Sequence, residues 1–350
     1  MRSNILKSSK TYYPLLDTTR FFAAFLVLLS HWIPDSSWIK ALHLGNIGVD
    51  LFFVISGFLI SRQLLEQRTQ IEAGTLDRFK AFKNFVWKRA WRIFPLYYLI
   101  LILSTLLNKG EIRDAFLYNM SYLSNFYFIK VEHWTRNFSH FWSLSVEEHF
   151  YLFWPLAVLF LPIKRFFLYS TVIALFSIGF RTYHILSDSH YLVTYCHTLS
   201  VLDLFMVGAI AGQLKKNKTN LWISNRMLIL STLAFISMIA LSYFLQISWM
   251  WCRACSALFY AVIVLTTTQN GNSLLQKILS NKILVWLGTL SYSIYLLHIF
   301  IPGIVMPLKT FGLSIFLRFP IYLLLTIGIS ALLHQYFEKP LRKFGKNSLQ

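Results

Sequence analysis

The sequence predicts an all-α, polytopic membrane protein of about ten transmembrane helices with both termini in the cytoplasm. Composition is the first reason. Of 350 residues, 56% are hydrophobic, 17% aromatic and only 13% charged, against about 25% charged in soluble domains. Mean hydropathy is +0.54. Segmentation is the second. Ten apolar segments come close to the roughly 20 residues needed to cross a bilayer core, at 14–33, 47–65, 91–107, 141–163, 166–184, 197–214, 227–247, 251–268, 283–305 and 316–337. The third is charge distribution. With the N-terminus inside, the inward-facing segments hold 23 Lys and Arg and the outward-facing ones 9, the asymmetry expected of cytoplasmic loops.

Between the third and fourth segments, residues 115–129 are apolar but interrupted by Asn119, Ser121, Ser124 and Asn125. This stretch is expected to lie at the interface or to re-enter rather than to span. No room is left for a soluble domain, so 1–350 reads as one membrane domain. The formal net charge of +19 then belongs to loops on an anionic leaflet, not to a nucleic-acid surface. Residues 1–13 are polar and basic, and no small-residue cleavage site follows the first apolar run. That run is expected to be retained as an anchor. Cys252 and Cys255 lie one turn apart in an apolar segment and are expected to pack rather than to form a disulfide framework. No metal site is read.

The first segment places Arg20 and His31 at its two ends. Eleven residues are three helical turns plus about 20°, so the two share a face, roughly 16 Å apart along the axis. A snorkelling arginine and a helix-ending histidine are the plain alternative. The sharper reading is a phosphate-binding cation and a general base lining one path. The second segment opens with Gly48-Val-Asp50 and contains Ser56-Gly57. Asp50 is expected to serve either as a helix N-terminal charge or as a partner for His31 or an arginine. Arg89 and Arg92 share a helix face and present rigid forks suited to phosphate, or act only as a positive-inside flank.

The fourth segment holds Glu147, Glu148 and His149 in an otherwise apolar run. Adjacent side chains diverge by about 100°, so only one glutamate can face a given partner squarely. Buried carboxyls of this kind suit proton transfer or the orienting of a histidine. In the ninth segment Ser291, Tyr295 and His298 follow i, i+4, i+7 beside Tyr292, one polar stripe that either bonds a neighbouring helix or walls an acceptor site. Ser145, Ser291 and Cys196 are the available nucleophiles, and none has a recommending spacing. By depth, His31, Asp50, Glu147, Glu148, Asp203 and His298 are expected in the outer half.

These residues together resemble the acyltransferase-3 family of integral-membrane acyltransferases. The likeness rests on Arg20-x10-His31 after Leu16-Asp17, on the Gly-Val-Asp-Leu-Phe-Phe-Val-Ile-Ser-Gly-Phe-Leu-Ile run at 48–60, and on Arg89-x2-Arg92. It extends to Trp142-Ser-Leu-Ser-Val-Glu-Glu148 with Phe150-Tyr-Leu, to Ser291-Tyr-x-x-Tyr-Leu-x-His298, and to Glu338-Lys-Pro340. The motifs fall in family order from residue 16 to 340. Thr18-Thr19 replaces the usual Gly-Leu, and His149 stands where Gln is frequent. The serine-hydrolase-like extension of some relatives is not seen, so transfer is expected to be completed by the membrane domain itself or with a partner.

The resemblance implies an O-acyltransferase of the cell inner membrane. It would move an acyl group, most often acetyl, from cytoplasmic acyl-CoA to a hydroxyl of a cell-surface carbohydrate such as O-antigen, capsule or exopolysaccharide, lipid-linked or growing. No permanently bound cofactor is implied; acetyl-CoA is a substrate. Arg20, Arg89 and Arg92 would hold the CoA phosphates. His31 would be the general base, with Glu148 or Glu147 orienting it. Asp50, Ser291, Tyr292, Tyr295 and His298 would shape the acceptor site. Direct transfer and an acyl-enzyme route are both compatible with the residues. Transfer to a small molecule or lipid headgroup shares the chemistry, and a polytopic transporter or flippase suits the intramembrane charges equally on physical grounds.

Overall fold

The computed structural model describes residues 12–33, 42–107, 111–135, 137–217, 223–269, 274–305, 312 and 314–349. Among them the secondary structure is helical, with no strand. The principal helices are α1 (Pro14–Trp32), α2 (Leu44–Glu72), α3 (Arg78–Leu107), α4 (Ser124–Val131), α5 (Phe141–Phe160), α6 (Phe166–Leu186), α7 (Leu202–Lys216), α8 (Asn225–Phe244), α9 (Trp249–Thr268), α10 (Lys282–Thr289), α11 (Ser291–Leu297), α12 (Ile315–Leu333) and α13 (Lys339–Asn347). The chain is a membrane protein. Six described helices are long and apolar enough to cross a bilayer: α2, α3, α6 with the turn before it, α8, α9, and α12 continued through α13. The expected segments 14–33 and 141–163 form α1 and α5. Polar residues interrupt their apolar runs, and those residues build the site.

The helix at the centre is α2, which packs on α1, α5, α7 and α9. Its apolar stretch is 61% buried, against 11% for α8, so α8 presents its flanks to lipid. Backbone approach is closest where α2 crosses α7. A Cβ added at Gly57 would lie 2.1 Å from the Phe205 carbonyl oxygen, and one at Gly208 would lie 2.1 Å from that of Val54. Small residues permit this approach, which drives helix association where water cannot. Gly208→Leu is expected to separate the two helices, at a cost of about 3 kcal/mol or more. The check is the melting temperature in detergent together with the amount of chain recovered in membranes.

Two expectations about continuity are corrected. The segment 197–214 gives a helix only from Leu202, after short turns at Tyr191–Cys196 and Thr198–Ser200. The segment 283–305 is not one helix; it breaks after Thr289 and again after Leu297. Pro302 explains the second break. Its ring nitrogen has no hydrogen to give the His298 carbonyl four residues back, and the Trp32 indole N–H bonds that carbonyl instead, at 2.9 Å. The stretch 115–129 forms the short helices Phe116–Met120 and α4 and does not span.

Buried charges outside the site are paired. Arg181 meets Asp203 at 2.7 Å, and Arg253 meets Asp50 at 3.1 Å. Lone charges in an apolar interior are too costly to leave unmatched.

Candidate active site

Helix α1 places Arg20 and His31 at two neighbouring pockets bounded in part by α2 and α5, with α11 beside them. The His31 end is a cavity of about 660 Å³, lined among others by His31, His43, Trp134, His140, Tyr195 and Tyr295. The Arg20 end is a pocket of about 40 Å³, bordered by Arg20, Glu147, Ser291, Tyr292 and Tyr295. Val49 and Tyr295 line both. They form the neck between the two ends, and the Tyr295 hydroxyl is held there by Ser143 Oγ at 2.5 Å.

At the His31 end three imidazoles gather. His298 Nδ1 sits 2.5 Å from the Tyr295 carbonyl oxygen. A carbonyl only accepts, so Nδ1 holds the proton and Nε2 the lone pair. His31 Nδ1 lies 3.1 Å from that Nε2 and 3.0 Å from the Val27 carbonyl oxygen. Both neighbours accept, so His31 Nδ1 is the protonated nitrogen, and its Nε2 is left with the free lone pair. The tautomers are assigned from these partners. His31 is also the exposed member of the group, whereas His298 and His140 are buried. His140 donates from Nε2 to the Leu296 carbonyl at 3.0 Å, and its ring centre is 5.2 Å from that of His298.

The side chain that bonds His31 is therefore His298; the expected glutamates do not bond it among the described residues. Glu147 accepts from Ser56 at 3.0 Å and from Tyr151 at 2.8 Å, and it borders the Arg20 pocket. His140 caps α5, so Glu147 lies seven residues, roughly 10 Å, further along the axis. That places it on the Arg20 side of the neck. Glu148 points about a quarter-turn away, and one of its carboxylate oxygens is buried with no hydrogen-bond partner among the described residues. No bond joins it to His31 among the described residues.

Asp50 also leaves the acceptor set. Its carboxylate is fully buried and bonded to Arg253 and to Trp249 Nε1. Of the polar stripe, His298 joins His31, Tyr295 forms the neck, and Ser291 and Tyr292 face the Arg20 pocket, with the Tyr292 hydroxyl donated to the Ile93 carbonyl at 2.7 Å. Among the possible nucleophiles, Ser145 is bonded to Ser124 and Phe141 and Cys196 to Leu192. Ser291 Oγ has no hydrogen-bond partner among the described residues, and Ser291 borders the pocket.

Beyond Arg20 the arginines converge. Arg92 stands within electrostatic reach of Arg20, Arg89 and Arg342. Arg20 has Asp17 at 4.0 Å. Arg89 lies over the Tyr151 ring at 5.2 Å. Arg342 is bonded to Glu338, which also accepts from Ser293 across the π-turn His334–Glu338. Neither Arg89 nor Arg92 has a hydrogen bond or an ion pair among the described residues, and Arg89 has only ring faces beside it. Guanidiniums without a counter-ion, gathered in this way, have the chemistry to bind an anion.

The Acyltransferase domain family model matches residues 13–335. The chain belongs to the acyltransferase-3 family. It is 28% identical over 377 residues to the O-acetyltransferase OatA of Staphylococcus aureus strains NCTC 8325 and COL. The match covers 96% of this chain but 58% of those relatives, so the chain spans little more than half their length. No solved structure matches it. In this acyltransferase-3 chain, two site residues escaped the sequence reading. His140 precedes the Trp142–Glu148 run, and nothing in its spacing marks it. Arg342 entered only the count of inward-facing Lys and Arg, although its i+4 distance from Glu338 was a usable signal.

Proposed function

We propose that the chain is an inner-membrane O-acetyltransferase that moves an acetyl group from cytoplasmic acetyl-CoA to a hydroxyl of a cell-surface carbohydrate. The observation that supports this most is a pair of adjoining pockets, sharing Val49 and Tyr295, with chemically opposite ends. An imidazole with a free lone pair occupies one end, and four guanidiniums, two of them without an ion pair among the described residues, occupy the other. CoA phosphates suit the arginine end, which the Lys and Arg distribution puts on the cytoplasmic side of a ten-span topology with both termini inside. A sugar hydroxyl suits the roomier cavity at His31.

In the step we propose, His31 Nε2 accepts the hydroxyl proton as the acceptor oxygen attacks the thioester carbonyl. The C–O bond forms, the C–S bond breaks, and the departing thiolate takes the proton from the imidazolium. Arg20 and Glu147 border the neck through which the acyl end of the donor must pass. Ser145 and Cys196 are already engaged, which leaves Ser291 as the candidate nucleophile should transfer pass through an acyl-enzyme instead.

The test is thiol release by the purified chain supplied with acetyl-CoA and a saccharide, with recovery of the acetylated sugar. Arg92→Ala and Arg342→Ala are expected to raise the KM for acetyl-CoA about 10- to 100-fold, the equivalent of a charge-assisted phosphate contact of roughly 1.5–3 kcal/mol. The KM for the acceptor should stay within about threefold. Equal rises for both substrates would remove these arginines from the donor site.

A further inference from the structure

His31 borders two cavities. The second, of about 1170 Å³, lies between α3, the turn at Pro302–Ile304 and the start of α12. Its walls are apolar, and Leu103, Leu107 and Ile304 are exposed at 43%, 84% and 67%. On helices that lie in a bilayer, such a wall meets acyl chains rather than water. One cation interrupts it. Arg318, in the first turn of α12, lines the groove, and its Nε is buried with no hydrogen-bond partner among the described residues. A buried donor of this kind is costly to leave unbonded, and a guanidinium fork fits a phosphate. The groove thus joins three features in one space: a side open to lipid, a cation short of an anion, and the imidazole that holds the free lone pair.

We propose that this groove binds a long-chain lipid phosphate whose headgroup bears the acceptor hydroxyl. The chain lies against Leu103, Leu107 and Ile304. The phosphate meets Arg318, and the sugar beyond it reaches His31. This rests on the acyl-transfer reading above and assigns the form in which the acceptor arrives: held in the membrane by its own lipid and entering sideways. The 660 Å³ cavity on the other side of His31 then receives the remainder of the saccharide. Charge complementarity selects a phosphorylated lipid over a neutral one, and the position of His31 selects one that presents a hydroxyl.

The experiment uses the full chain in detergent with farnesyl phosphate and farnesol as probes, their binding read by native mass spectrometry. Farnesyl phosphate is expected to bind at least tenfold more tightly than farnesol. Arg318→Gln should abolish that preference, and Arg318→Lys should restore part of it. A Cβ at Gly303 meets nothing within 4 Å among the described residues, so Gly303→Trp is the substitution chosen to fill the groove. It should weaken both probes about tenfold with an unchanged melting temperature. Equal binding of phosphate and alcohol, or a preference that survives Arg318→Gln, would overturn the proposal. So would competition by inorganic phosphate at similar concentration, which marks a free-anion site, or displacement by equimolar phosphatidylglycerol, which marks an ordinary bilayer-lipid site. Thiol release by the unsubstituted chain with a free saccharide is measured separately. If it occurs while the phosphate preference is missing, only the groove assignment falls; if it is absent with every acceptor, the acetyltransferase reading falls.

Discussion

Replacing His31 with alanine is expected to lower acyl transfer by two to four orders of magnitude, while the chain still reaches the membrane and still binds acetyl-CoA. A hydroxyl is a weak nucleophile until its proton is removed, and a positioned base contributes about 10²- to 10⁴-fold. His31 is the exposed imidazole of the cluster, and its Nδ1 is occupied by Val27 and His298 at 3.0 and 3.1 Å. Only Nε2 is free to take a proton. His31→Gln should do no better than alanine, since an amide cannot become a base. His298→Asn should behave differently. It removes one of the two acceptors that hold the His31 ring but leaves the base in place, so kcat is expected to fall about 10- to 100-fold with little change in either KM. The measurement is the initial rate of thiol release with both substrates varied, alongside donor binding by calorimetry. If His298→Asn proves more damaging than His31→Ala, the base has been assigned to the wrong histidine. A wild-type rate for His31→Gln would return His31 to a helix-ending role.

The membrane fold was legible because hydropathy depends on local composition, and long apolar runs have few alternatives. The Arg20–His31 pairing was legible for a related reason: within one helix, spacing fixes the face. What spacing cannot fix is the partner supplied by another helix. Glu148 was a reasonable candidate for orienting His31, but the rotation of α5 turns Glu147 toward Ser56 and Tyr151 and sends Glu148 elsewhere. His298 stood in the polar stripe, yet its role follows from the break after Leu297, which brings its Nε2 to His31. The signal for that break, Pro302 four residues on, was present in the sequence and was outweighed by continuous hydropathy. Arg342 needed the π-turn at His334–Glu338 to be seen as part of the arginine group. Single extra-residue turns of this kind leave no periodicity to read.

Asp50 provides the second large effect, one of stability rather than chemistry. Asp50→Asn is expected to destabilise the chain by about 3–5 kcal/mol, because it leaves the Arg253 charge buried without its counter-ion. Both side chains are almost wholly excluded from solvent, at 0% and 1% exposure. Trp249 Nε1 donates to the same carboxylate at 3.0 Å, and Arg253 in turn donates to the Tyr195 carbonyl at 3.1 Å. Tyr195 reaches Asn46 through its hydroxyl at 2.6 Å, and both residues line the cavity at His31. The ion pair thus acts on the site through the wall it holds. The measurement is thermal unfolding in detergent and chain recovered from membranes, for Asp50→Asn, Arg253→Gln and the double substitution. A structural pair predicts that the two single changes are each severe and that the double change is milder than their sum, since removing both charges leaves neither orphaned. An acceptor-binding Asp50 predicts the reverse: an unchanged melting temperature, a raised KM for the saccharide and no coupling to Arg253.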